Sequence, residues 1–248
     1  GVFPTGASSV TTPTNLGNDY WVCLSDRLET SGVQLCPISS DFTVSFWFYP
    51  TDSVTASQRF LSSGSGMHEM LIEQEGTGSG SLKVQITDAS SGVSRYVFPH
   101  GFSLNTWYLC VFTYDVSTGQ IAGYVNNSAP TPTDDLTGEG SITTTTIWRL
   151  LSVNTSEAED VSGNLMEWGI WNKILDSDER TALYDSGDGA LANTIASGNL
   201  LAYYSGTDYT DPISNQASYT YPNLPNGTIY NETDTYKYFM FDGTDTWN

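Results

Sequence analysis

The chain has 248 residues, of which 38% are apolar and 13% aromatic, enough for one large β domain or one domain with an appendage. Its charge is unbalanced, because 28 Asp and Glu against 8 Lys and Arg give a formal net charge of -20. Such a field repels phosphate backbones and anionic membranes. Nucleic acid is therefore not expected as a partner, whereas cations and neutral polar ligands such as sugars are compatible. No stretch of eighteen apolar residues is present, so we expect no membrane insertion.

The N-terminal half predicts a lead-in followed by many short strands. Residues 1–16 contain two prolines and many small polar residues, which indicates an extended lead-in or linker. Residues 41–50 alternate fully between two faces, which predicts a central strand. Shorter strand-like segments separated by Gly and Ser are residues 19–24, 59–62, 69–74, 81–87 and 95–98. Turn signals at this spacing are typical of an antiparallel sandwich.

Residues 104–127 form the clearest hairpin pattern, with WYLCVFTY and IAGYVN as strands and Asp115 and Gly119 as turn residues. An acidic, Gly- and Thr-rich segment follows over residues 134–146, and we expect it to be a loop. Residues 147–153 predict another strand.

Residues 164–187 change period within a few positions. The segment LMEWGIWN alternates with aromatics on both faces, which predicts a strand that is covered on both sides. From Asp176 the period becomes helical, because Asp176 is a good N-cap, Glu179 completes a capping box, and Gly187 can end the helix. We therefore expect one short helix near residues 177–185.

After this helix the composition shifts to Tyr, Asn and Pro. Residues 200–204 and 236–241 predict strands, and a long irregular stretch separates them. The expected organisation is a lead-in over residues 1–16, one domain over residues 17–197, and a C-terminal segment over residues 198–248. That last segment either closes the sandwich or begins a neighbouring module.

Three motifs in chain order resemble the concanavalin A-like jelly rolls of the laminin G and pentraxin type. FTVSFWFYP is similar to an early strand of that family, LNTWYLCVFTYDVSTGQIAGYVNNS to its tryptophan hairpin, and NLMEWGIWNKILDSDERTALYDSG to its closing strand and helix. Glu167 occupies the position of the acidic residue usual in that closing strand. Tyr108 and Leu109 depart from the family, which commonly has histidines there. The resemblance implies an all-β antiparallel jelly-roll sandwich with one short helix.

The end of the chain has a fainter resemblance to the opening of the same domain. GTDTW at residues 243–247 is similar to GNDYW at residues 17–21, and LLAYYSGTDY is similar to the segment that precedes such a domain. This likeness implies that the chain could be a repeat unit with neighbouring modules or subunits.

Calcium is a predicted cofactor, because the family's rim loops often hold it and hard oxygen ligands are abundant in this chain. The acidic segments offer five candidate ligands. The predicted metal residues are Asp134, Asp135, Glu157, Glu159 and Asp160.

Two further kinds of covalent feature are predicted. Cys23 and Cys36 flank a turn-rich segment, and a hairpin there would bring them within bonding range; the alternative is two buried thiols in a reducing compartment. Cys110 lies within the predicted hairpin strand. Asn-x-Ser/Thr sequons predict N-glycosylation. They begin at Asn126, Asn154, Asn226 and Asn231.

Catalytic patterns are weak. A retaining glycosidase needs two neighbouring carboxylates, and Glu69, Glu73 and Glu75 share one strand face without the central Asp that such glucanases carry. His68 and His100 have no paired nucleophile motif. A sugar site would instead need an aromatic platform beside polar groups. The aromatic candidates are Trp47, Tyr49, Trp107, Trp148 and Trp168.

The sequence therefore favours a non-catalytic binding module at an extracellular or virion surface, which recognises glycans or surface proteins with possible assistance from Ca2+. One alternative is a structural repeat or subunit of a larger assembly whose C-terminal strand docks on a neighbour. Another is a polysaccharide hydrolase or lyase.

Overall fold

The computed structural model describes two compact units, Gly1–Thr210 and Asp211–Asn248. The described residues are 11–16, 21–23, 28–31, 35–37, 39–51, 57–63, 70–75, 81–87, 93–99, 102–137, 147–150, 161–205, 229–232 and 237–240. For residues 21–23, 28–31, 70, 71, 73, 75, 99, 147–150, 229–232 and 237–240 only the backbone is described.

The described elements are fifteen strands and one α-helix, with three short 3-10 turns after the helix. The strands are β1 (Trp21–Cys23), β2 (Leu28–Ser31), β3 (Phe42–Pro50), β4 (Gln58–Ser63), β5 (Met70–Glu75), β6 (Ser81–Thr87), β7 (Val93–Pro99), β8 (Tyr108–Asp115), β9 (Gln120–Val125), β10 (Asp134–Leu136), β11 (Ile147–Leu150), β12 (Gly163–Trp171), β13 (Leu200–Tyr204), β14 (Ile229–Glu232) and β15 (Lys237–Met240). The helix α1 is Ser177–Tyr184, and the 3-10 turns are Asp185–Gly187, Ala192–Thr194 and Ser197–Asn199.

Two antiparallel sheets form the first unit. The six-stranded sheet has the order β1-β12-β3-β8-β9. β13 also pairs with β12, on the edge that β1 occupies and next to other residues of β12. The seven-stranded sheet has the order β10-β7-β6-β5-β4-β11-β2. The prediction of an all-β antiparallel jelly-roll sandwich is confirmed, and so is the prediction of one short helix. In the second unit β14 and β15 form an antiparallel pair.

The main core lies between the two sheets. Along β6 buried and half-buried residues alternate, so one face of the seven-stranded sheet is apolar and packed. Phe46 of β3 and Trp168 of β12 stack at the centre of this core, with ring centroids 4.6 Å apart and planes 6° apart. Because Phe46 is also stacked on Phe60 of β4, at 4.8 Å, the aromatic rings join the two sheets.

The outer face of the six-stranded sheet is also covered, by α1 and the residues that follow it. All nine residues of β12 are buried, which confirms the prediction of a strand covered on both sides. The second cluster includes Trp171 of β12, Leu183 of α1 and Ala192 of the second 3-10 turn. Leu16, at the end of the predicted lead-in, belongs to the same cluster.

The structure differs from the sequence predictions in two short segments. The predicted loop over residues 134–146 begins with the strand β10, which pairs with β7. The turn-rich segment between Cys23 and Cys36 contains β2. Because β1 and β2 belong to different sheets, the hairpin expected between these cysteines is wrong. β2 and β10 are four and three residues long and mostly polar, so their sequences show no usable alternation.

The helix ends earlier than expected. Its last residue is Tyr184, and Asp185 takes the left-handed C-cap conformation that Gly187 was expected to provide. The first residues of the predicted C-terminal segment form β13, which pairs with β12 and so completes the six-stranded sheet. Among the described helices, none has the length and apolar character needed to cross a membrane.

Candidate binding site

The candidate site lies on the outer face of the six-stranded sheet, where its cover ends. On β3 the side chains of Phe46 and Phe48 enter the main core, whereas Trp47 belongs to the outer cluster. Tyr184 at the end of α1 stacks on Trp47, with centroids 6.1 Å apart and planes 19° apart. Tyr49, two residues beyond Trp47, therefore shares the outer face and is half-buried.

Beside Tyr49 lies a second half-buried ring. The register pairs Trp47 with Leu109, which places Trp107 next to Tyr49. The two ring centroids are 5.2 Å apart and the planes are inclined by 49°. These two rings are therefore neighbours that are neither fully buried nor fully exposed.

Two amide side chains belong to residues that flank the ring pair. Asn164 of β12 is opposite Tyr49 in the register and is 4% exposed. Asn105 is exposed, and its backbone N–H donates to the Pro50 carbonyl at 2.9 Å, which holds its loop against the end of β3. Tyr49, Trp107 and Asn105 are called the aromatic shelf below, whereas Asn164 is too buried to contact a ligand directly.

The aromatic shelf has the chemistry that sugar recognition requires. Aromatic faces contact the C–H groups of a sugar ring, and amides both donate to and accept from hydroxyl groups. Asn105 has a positive φ of 60°, a conformation that Asn tolerates better than most residues. The sequence identified the two rings but neither asparagine: Asn105 is local to Trp107 in the chain, whereas the position of Asn164 opposite Tyr49 depends on strand register.

Three other aromatic candidates differ from the shelf. Trp47 and Trp168 are 1% and 0% exposed and belong to the two clusters, so neither can contact a ligand directly. Trp148 lies in β11, where only the backbone is described.

Glu167 supports the covered face from inside. It is 3% exposed, and its carboxylate accepts hydrogen bonds from the Ala192 N–H and the Tyr203 hydroxyl, each at 2.8 Å. Burial raises the pKa of Glu167 to about 7, although the two hydrogen bonds lower it. Glu167 is the single buried acidic side chain within the described part of the chain.

Comparison with known proteins agrees with this architecture. Residues 12–179 match a laminin G family model described as concanavalin A-like lectin/glucanases superfamily, which covers more than half of the chain. The chain belongs to this superfamily. No relative was found among curated proteins.

Solved structures with a similar fold are distant in sequence. A native heptameric SAP-like pentraxin from Limulus polyphemus has a TM-score of 0.50 and 16% identity, covering 73% of this chain and 79% of its own. The receptor-binding domain of botulinum neurotoxin mosaic serotype C/D has a TM-score of 0.54 and 12% identity, covering 72% of this chain and 44% of its own. The complex of NanB with Optactamide has a TM-score of 0.54 and 19% identity, covering 68% and 28%. The chain thus spans under half of the last two proteins, and at these identities the likeness is one of fold.

The predicted metal residues are only partly within the described chain. Asp134 forms an ion pair with Arg95, with 2.7 Å between its Oδ2 and the Arg95 Nε, and Asp135 is exposed. Among the described residues no group of three potential ligands is assembled. The other three predicted ligands lie outside the described residues. They are Glu157, Glu159 and Asp160.

The predicted disulfide stays a prediction. Cys36 is buried, while the side chain of Cys23 is outside the described atoms. Cys110 is a buried free thiol of β8, and burial raises its pKa.

Of the predicted glycosylation sites, Asn126 is the one whose side chain is described. Its Oδ1 accepts a hydrogen bond from the Leu109 N–H at 3.0 Å, and it lies in a left-handed turn after β9. Asn154 and Asn226 lie outside the described residues, and Asn231 is described by its backbone in β14. Glycosylation at these positions stays a prediction.

The side chains of the weak catalytic candidates are not among those that the structure describes. Glu73 and Glu75 are in β5, where the backbone alone is described for them. Glu69, His68 and His100 are outside the described residues.

Proposed function

We propose that this protein is a carbohydrate-binding module that holds its ligand on the aromatic shelf, at an extracellular or particle surface and without turnover. The observation that carries the proposal is the half-buried ring pair of Tyr49 and Trp107, with the exposed Asn105 two residues before Trp107. Membership of a superfamily named for lectins and glucanases supports the same class of ligand.

The rigidity of the aromatic shelf favours binding. Tyr49 is the second-last residue of β3, a nine-residue strand that is paired on both sides, and Trp107 directly precedes β8. Rings that are fixed before the ligand arrives lose little conformational entropy on binding. The net charge of -20 favours neutral sugars over anionic ones at this surface.

The shelf also favours a sugar over a purely apolar ligand. An apolar ligand that covers Asn105 would take its amide out of water without offering a hydrogen-bond partner, and that desolvation weakens binding. A sugar presents apolar C–H faces and hydroxyl groups together, so it satisfies the rings and this amide at once.

The test is a screen of neutral glycans on an array, followed by titration calorimetry with the best ligand. Replacing Trp107 by Leu or Tyr49 by Leu removes one ring and should weaken binding about tenfold or more, which corresponds to about 1.4 kcal/mol. Asn105→Gly removes the amide while keeping a residue that accepts positive φ, and should weaken binding several-fold.

Tyr124→Leu is the matched control. Tyr124 is a half-buried aromatic residue of the edge strand β9, and its ring is covered by the Arg180 guanidinium of α1, so its loss should not affect the ligand. Equal affinities for the wild type and the folded Trp107→Leu and Tyr49→Leu variants would exclude the shelf. Absence of binding to every glycan would instead reject the carbohydrate-binding function.

Calcium assistance is a finer part of the proposal. The ligands would be Asp135 with the predicted acidic residues Glu157, Glu159 and Asp160, because Asp134 is engaged by Arg95. Repeating the titration in CaCl2 and in EGTA at equal ionic strength tests it, and equal affinities would remove calcium from the proposal.

A further inference from the structure

Glu167 occupies an unusual backbone position in the middle of β12. The pairing of β12 with β3 shifts register between Met166 and Gly169, which marks a β-bulge. Glu167 lies in this bulge with φ of 52°, and among the described strand residues it is the one non-glycine residue with positive φ. A strained conformation of this kind persists when the surrounding contacts require it.

The side chain of Glu167 joins two separate pieces of the cover. Its Oε2 accepts from the Ala192 N–H, in the second 3-10 turn, and its Oε1 accepts from the Tyr203 hydroxyl on β13. Next to this pair, the Trp171 Nε1–H donates to the Ile195 carbonyl at 2.8 Å. The carboxyl group is therefore a direct link between β12 and the segment 192–204.

No cation compensates this carboxyl group within the described elements around it. The strands and turn with the most contacts to β12 are β1, β3, β13 and Ala192–Thr194, and none of them contains Lys, Arg, His or another acid. Their titratable side chains are Cys23, Tyr49, Tyr203 and Tyr204. The helix α1 shares the outer cluster with β12, and its charged groups have partners elsewhere: Glu179 pairs with Lys173, and the Arg180 Nη1 donates to the Leu175 carbonyl. Asp178, Asp185 and Asp188 are exposed.

We propose that Glu167 is a proton-dependent latch: its neutral carboxyl group holds the segment 192–204 on the six-stranded sheet, and its ionisation loosens that segment. A neutral carboxyl group still has an oxygen that accepts from the Ala192 N–H, and it can form one hydrogen bond with the Tyr203 hydroxyl. An ionised one places an uncompensated charge in a site with 3% exposure. This inference concerns the cover of the sheet and goes beyond the proposed sugar binding.

The pH range follows from the direction of the shift. Burial raises the pKa of Glu167 from an ordinary value of 4.5 to about 7, so the closed state holds the proton more tightly than the open state. The stabilisation is fully present below pH 4.5, declines as the pH rises, and is lost above about pH 7.

Hydrogen exchange at the Ala192 amide measures the latch directly, because this N–H donates to Glu167. After correction for intrinsic exchange rates, the protection factor of the Ala192 amide in the wild-type chain should be lower at pH 8 than at pH 5 by a factor on the order of tens. In Glu167→Gln, which is neutral at every pH, the protection factor should stay constant. Asp188→Asn is the matched control, and it should keep the pH dependence of the wild type.

A second variant keeps the test decisive if Glu167→Gln does not fold. Tyr203→Phe removes one of the two donors that lower the pKa of Glu167, so the midpoint of the protection change should move to higher pH. A constant protection factor in the wild type would overturn the latch. So would an unshifted midpoint in a folded Tyr203→Phe variant, or a pH profile in Glu167→Gln like that of the wild type.

Discussion

At the residue scale, the packing around Gly169 shows how closely the cover fits the sheet. A Cβ atom at Gly169 would overlap the Trp171 ring, which lies across it. Trp171 is fully buried and is held by the hydrogen bond to Ile195, so it cannot move without disturbing the covering segment. Gly169→Ala should therefore destabilise the protein by about 1–3 kcal/mol, as expected for overpacking.

Chemical denaturation measures this residue-scale effect, with Gly198→Ala as its control. A Cβ atom at Gly198 would meet nothing within 4 Å. Gly198→Ala should be neutral or slightly stabilising, because alanine restricts the unfolded chain. Equal stabilities of the two variants would contradict the packing of Trp171 on Gly169.

At the element scale, α1 depends on the capping box that its sequence predicts. The Asp176 Oδ1 accepts from the N–H groups of Asp178 and Glu179, each at 2.9 Å, and the Glu179 Oε2 accepts from the Asp176 N–H. Asp176→Ala should lower the melting temperature by about 2 °C or more, whereas Asp178→Ala, which removes only a first-turn charge, should lower it less.

The capping contribution should also depend on pH. The hydrogen bond from the Glu179 N–H is the main cause that lowers the pKa of Asp176 below its ordinary value of 3.8. The difference between wild type and Asp176→Ala should therefore be complete above pH 3.8 and should disappear as the pH falls through the lowered pKa. Thermal melts at a series of pH values from 7 down to 2 measure it, and a difference that stays constant over the whole series would argue against the cap.

The elements that the sequence predicted correctly are those with their own local signal. Full alternation identified β3 and the β8–β9 hairpin, and the change of period identified β12 and α1. β2 and β10 lack such a signal, because these short segments become strands through their pairing with β11 and β7. The same limit applies to the aromatic shelf: Tyr49 and Trp107 are recognisable as aromatic residues, but their position side by side on the sheet follows from register.

At the scale of the whole molecule, the charge is the dominant feature that local packing does not explain. With 28 acidic and 8 basic residues, most carboxylates have no cation to pair with. Mutual repulsion of like charges is stronger in the compact state than in the expanded chain, so it opposes folding. At 0.01 M salt the Debye length is about 30 Å, comparable to a domain, and at 0.15 M it is about 8 Å.

Raising NaCl from 0.01 M to 0.15 M at pH 7 should therefore raise the melting temperature by about 2 °C or more. KCl should have the same effect as NaCl, because screening depends on ionic strength and not on a specific ion. At pH 4, near the sequence pI of about 4.1, the net charge is close to zero and the salt effect should largely vanish. A melting temperature at pH 7 that is independent of salt would show that the acidic residues are far enough apart, or paired well enough, for repulsion to be negligible.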